Sequence, residues 1–142
     1  MKRIIYAQND GTIAVIIPAN ECGLTIEQIA AKDVPAGKSF EIIEHTELPP
    51  RDEYRNSWVL VGSKIVHDMT KAREIKRERI RVERKPLLEN LDAEFMRALE
   101  NSDKAKQAEI VARKQKLRDA PADPRIEKAK TVDDLKAIKL RS

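Results

Sequence analysis

Across positions 68–100 the sequence has no glycine and one proline, Pro86, and is otherwise built from residues that favour helix. A continuous helix there is roughly 50 Å long. A small domain cannot enclose a rod of that length. A lone helix makes contacts rather than pockets, so the segment points to interaction or assembly before it points to catalysis. Asp68 or Thr70 supplies the N-cap. The first half is a basic arm: positions 71–85 hold 8 Lys/Arg against 3 Asp/Glu. The second half is an apolar stripe of Leu87, Leu88, Leu91, Phe95, Ala98 and Leu99, whose spacings of three and four put them on one face. Pro86 removes one helical hydrogen bond and clashes with the carbonyl four residues back. It therefore predicts a kink near Arg84 and Lys85, or else it opens a fresh helix as a first-turn proline.

The rest of the chain reads as α+β. Positions 2–8 predict a strand. Asn9-Asp10-Gly11 predicts a tight turn, because Asp-Gly tolerates the positive φ that such turns need. The return strand, positions 12–18, is a continuous apolar run, which predicts burial on both faces. Thr25 is an N-cap, and Gln28 three residues later makes a capping box for a short helix over 25–34. A third strand follows at 39–45, and a hairpin around Gly62-Ser63 at 58–66. The expected head is a small mixed sheet with one helix over residues 1–67. Below about 70–80 residues one core rarely supplies more than a few kcal/mol, so such a head leans on the helices or on partner chains. After the long helix, Asn101-Ser102-Asp103 predicts a turn and a second helix over 103–119. A three-residue connection makes that pair an antiparallel hairpin, so residues 68–120 form the second region. Residues 121–142 read as a stiff Pro-containing linker and a short helix capped at Thr131.

Charge divides the same way. Residues 1–67 carry 7 Lys/Arg and 9 Asp/Glu, a net of −2, while residues 68–142 carry 21 and 15, a net of +6. The basic arm is a candidate face for nucleic acid or an acidic protein, through Arg73, Lys76, Arg77, Arg79, Arg81 and Arg84. Glu74, Glu78 and Glu83 interleave at helical pair spacings, so a solvated, ion-paired helix explains the same residues. No aromatic RNA-binding pattern or DNA-binding motif accompanies them.

Other chemistry finds little support. Four glycines leave neither a Walker A loop nor GxGxxG. His45 and His67 have no Cys, His or carboxylate at zinc-ligand spacing and read as surface or strand-end residues. Cys22 has no second cysteine to pair with and is expected as a small buried apolar residue. The sequence has no run of 18 apolar residues and no signal-peptide pattern, so synthesis in the cytoplasm and no membrane contact are expected. The expectation is a non-enzymatic chain with no catalytic residues, metal or cofactor.

Several stretches carry a family resemblance: KRIIY near the start, AVIIPANECGLTIEQIAAKDVPAG, Arg55-Asn56-Ser57-Trp58, DMTKAREIKRERIR, PLLENLDAEFMRALE, KQKLRDAPADP and TVDDLKAI. Over most of its length the chain resembles small tailed-bacteriophage proteins encoded beside tail-fibre genes. The resemblance implies a virion protein of the tail or tail fibre, working as an assembly or attachment adaptor and repeated as a homo-oligomer. A tail-fibre assembly chaperone that leaves the particle is the alternative, and a nucleic-acid-binding phage protein using the basic helix is the second. Partner contact is expected at Leu87, Leu91, Phe95 and Leu99 if the stripe packs on a neighbouring subunit rather than on its own hairpin, and Trp58 reads either as core or as an aromatic anchor.

Overall fold

The computed structural model describes residues 1–140. The chain forms two compact units, Met1–Ala72 and the part from Arg73 onward.

The first unit is the head. Strand β1 (Lys2–Ala7) is central, with β2 (Ile13–Ile16) on one side and β3 (Phe40–Glu44) on the other, both antiparallel to it. Strands β4 (Trp58–Val61) and β5 (Lys64–His67) form a separate antiparallel hairpin. The expected mixed sheet is thus two antiparallel sheets. Connection length accounts for the β1–β2 and β4–β5 pairs, since antiparallel neighbours need only a tight turn whereas a parallel pair needs a crossover of a dozen residues or more; β3 reaches β1 after residues 17–39 and pairs antiparallel as well. The Asp10-Gly11 turn forms as the sequence predicts. Gly11 sits at φ 83° and donates to the Gln8 carbonyl, while Asp10 Oδ1 accepts from the Thr12 amide at 2.9 Å and its hydroxyl at 2.6 Å.

Alternation along the strands gives the sheet two apolar faces. Ile5, Ile13 and Ile43 meet Trp58 and Ile65 of the hairpin. Ile4 packs with Ile29, Ala30 and Val34, contributed by and just after helix α1 (Ile26–Asp33). The Thr25–Gln28 capping box is present at the start of α1. Each fully buried isoleucine contributes about 1.5–3 kcal/mol of burial. The apolar run at 12–18 does line both faces, but β2 is an edge strand, and Ile17 just beyond it is 61% exposed. Cys22 is exposed rather than buried: it lies in the turn after β2, where Glu21 and Gly23 take positive φ, and not in a strand facing the core.

Helix α2 (Met69–Glu100) begins at the end of the head and enters the second unit. Asp68 is its cap: Oδ1 accepts from the amides of Thr70 and Lys71. The helix runs through Pro86 without starting afresh. Pro86 has no amide to give the carbonyl of Val82, four residues earlier, and both positions are open to solvent.

In the second unit α2 turns into α3 (Lys104–Asp119). Asp103 donates to the Ala98 carbonyl and Ser102 to that of Leu99, with Ser102 at φ 56°. These are the two bonds of a Schellman ending, and Asp103 then caps α3 through Lys106 N–H. The segment read as a linker is a 3-10 turn at Ala120–Ala122 followed by α4 (Pro124–Lys128). Helix α5 (Val132–Lys136) has the Thr131 capping box. Residues 121–140 contribute five buried side chains, Ile126, Ala129, Val132, Leu135 and Ile138. Among the described residues no helix is long and apolar enough to cross a membrane.

Candidate partner-binding surface

The apolar stripe of α2 divides between interior and surface. Leu91 and Ala98 are buried against Ile110 and Leu117 of α3, with Leu87, Leu88 and Phe95 partly buried around them. Leu91 is therefore committed to the hairpin and is not available as the contact residue it was expected to be. Leu99 is 50% exposed, as are Met96 (54%) and Val111 (51%) to similar degrees. Lys114 of α3 reaches across to pair with Asp92, and its Nζ lies 5.9 Å from the Phe95 ring centroid. That bridge fixes which sides of the two helices are neighbours. At 3.6 residues per turn, Leu88, Phe95, Met96 and Leu99 flank Asp92 on α2, and Val111 precedes Lys114 by three on α3. An apolar flank therefore lies along one side of the hairpin, crossed by one ion pair.

Trp58 is the other candidate for partner contact. It is 2% exposed and belongs to the head's core, because the register of β4 turns its side chain toward Ile5 and Ile13. Arg55 stacks on it, with the guanidinium carbon 4.1 Å from the ring centroid. The indole Nε1 is buried without a hydrogen-bond partner.

The basic residues of α2 serve intramolecular ends. Arg73 donates to the carbonyls of Ile126 and Ala129 (3.2 and 2.9 Å) at the end of α4. Lys76 donates to the Ile138 carbonyl at 2.7 Å, just beyond α5. Arg84 donates to the carbonyls of Leu117 and Arg118 in the last turn of α3. Cations belong at helix C-termini, where carbonyls lack amide partners. Arg77 pairs with Glu74 and Glu127, Arg81 with Glu74 and Glu78, and Arg79 with Glu83. Hydrogen bonds from Arg81 and then Arg77 hold the Glu74 carboxyl below the usual range, and the same pairing raises Arg81. The six residues expected to form a basic face are thus partnered within the chain. Sequence reasoning missed the carbonyl caps because each joins residues 33 to 62 positions apart.

One polar pair has the outline of a catalytic dyad. Ser57 Oγ lies 2.6 Å from His67 Nδ1. The same hydroxyl donates to the Tyr54 carbonyl at 2.7 Å. A carbonyl only accepts and a hydroxyl has one proton, so His67 donates through Nδ1 to the serine. A nucleophilic serine needs the reverse arrangement, with histidine accepting, and Ser57 is fully buried. The pair closes the open end of the β4–β5 hairpin, where Trp58 stands opposite His67. Among the described residues no group of three His, Cys, Asp or Glu side chains is placed to hold a metal ion.

No known protein family matches the chain, and no curated protein or solved structure is similar to it.

Proposed function

We propose that this chain is a non-enzymatic structural protein of a phage tail or its fibres, acting as an assembly or attachment adaptor through protein–protein contacts. The observation that supports this reading is the exposed apolar flank of Met96, Leu99 and Val111 on the helical hairpin, beside the partly buried Phe95. Two helices backed by short helical segments cover only part of each other, and a symmetric assembly completes such a face with a copy of itself. The resemblance to tail-associated phage proteins supplies the biological setting. The internal commitment of Arg73, Lys76, Arg77, Arg79, Arg81 and Arg84 weighs against a nucleic-acid role, because counterion release needs free cations facing phosphate.

Light scattering on the purified protein, alone and with the fibre protein of the same phage, tests this reading. A defined homo-oligomer that Leu99→Lys converts to monomer supports the structural role. A monomer that joins the fibre protein, with no trace in purified virions by mass spectrometry, gives the departing chaperone instead. A monomer indifferent to the fibre protein overturns both.

A further inference from the structure

The head carries a second feature, unrelated to the hairpin flank and independent of the reading above. Arg3, Arg51 and Arg55 line a cavity of about 190 Å³ together with Val15, Ile17, Leu48, Pro49 and Trp58. Three arginines and no carboxylate are among the lining residues. Burial, and then the nearby charge of Arg51, push the Arg55 pKa down. The lining is therefore net positive, and Val15, Ile17, Leu48, Pro49 and Trp58 make its apolar part.

The cavity sits beside the free edge of the sheet. Gln8 donates to the Thr12 carbonyl to close the β1–β2 hairpin. Antiparallel bonding alternates from that pair, so Tyr6 bonds Ala14 and Ile4 bonds Ile16 across the register. The backbone groups of Ile13, Val15 and Ile17 point the other way, out of the sheet. Arg55 donates to the Ile13 carbonyl. Val15 and Ile17, both lining the cavity, present the next outward amides and carbonyls. An edge of this kind is a template for another strand. A strand laid along it sends every second side chain to the face that bears the arginines.

We propose that the cavity receives a carboxylate side chain of an extended acidic peptide segment, which adds as a strand along β2. The main-chain ladder supplies affinity and the pocket supplies selectivity, as in other strand-addition interfaces. Guanidiniums match the two oxygens of a carboxylate, and the apolar part of the lining takes its methylenes.

The test uses the whole chain and a short peptide alternating valine with glutamate. Binding is read from the fluorescence of Trp58, the sole tryptophan, and from the amide resonances of Val15 and Ile17. The glutamine counterpart should bind at least about tenfold more weakly, as expected for loss of a charge-assisted bond. Arg51→Gln, at an exposed position, should weaken the glutamate peptide by a similar factor with the circular dichroism spectrum unchanged. A glutamate peptide N-methylated at alternate residues should lose binding, because it cannot ladder. Equal affinity for the glutamate and glutamine peptides, or no binding of either, overturns the proposal. Free glutarate binding as tightly as the peptide also overturns it, leaving a small-anion pocket without strand addition.

Discussion

The two units are held by different chemistry. In the head, isoleucines from both faces of one sheet are buried against a helix and a second hairpin. The helical unit buries an apolar seam between α2 and α3 and adds arginine and lysine side chains that cap the carbonyl ends of its own helices. A sheet sandwiched between two layers satisfies its backbone through strand ladders and needs little from side chains. Several short helices leave carbonyl ends that something must satisfy, and the long helix carries the cations that do so. A charge-rich segment with pI about 9.2 for the whole chain is thus not by itself a nucleic-acid signature.

The largest test of this contrast removes apolar packing from the head. Ile5→Ala, at a fully buried position beside Trp58, should cost about 2–5 kcal/mol. Urea unfolding followed by Trp58 fluorescence measures it, and a loss under about 1 kcal/mol would deny the sheet core its role. Next is Pro86→Ala. It returns an amide to the Val82 carbonyl in a helix that continues through this position, and should stabilise the helical unit by up to about 3 kcal/mol. No gain in thermal melting at 222 nm would mean that the proline occupies a first turn. Arg84→Met keeps the aliphatic stem and removes the cap on the end of α3. The expected cost is about 1–2 kcal/mol, and faster amide exchange in the last turn of α3 locates it.

The smallest effect is with pH. Asp10, Glu74 and Asp123 have folded-state pKa values below their ordinary ones, through bonds from Thr12, from Arg81 and Arg77, and from Arg125. A depressed carboxyl contributes stability above its unfolded value and loses it as pH falls through the folded one. Acidification below about pH 4 should therefore lower the melting temperature. Two of these groups lie in the helical unit, so its amides should lose exchange protection first, whereas loosening in the head should be confined to the Asp10–Thr12 turn. Uniform loss across both units would remove the distinction drawn here.

What was legible in the sequence was local. Thr25 with Gln28, Asp103, Thr131 and the Asp10-Gly11 turn each act within a few residues, and each does in the structure what its spacing predicts. The helical hairpin follows from the same kind of signal. What was not legible depended on which element becomes whose neighbour. An apolar run such as 12–18 looks the same at the centre of a sheet and at its edge. Leu91 and Leu99 belong to one periodic stripe, and only the position of α3 buries one and exposes the other. Arg3, Arg51 and Arg55 share no sequence spacing, and the fold brings them to one cavity. The proline-rich stretch at 120–124 suggested a linker, yet Pro124 is the first residue of a helix, where its missing amide costs nothing.

The exposed Cys22 bears on how this molecule is handled. It is the sole thiol in the sequence, so two copies oxidised in air can join through it and no intramolecular disulfide can compete. A covalent dimer formed in this way has the same mass as one held by the hairpin flank. Reductant, or Cys22→Ser, therefore separates a bench artefact from an assembly. The same thiol gives a single attachment point for a dye on the head, with Trp58 as the natural donor.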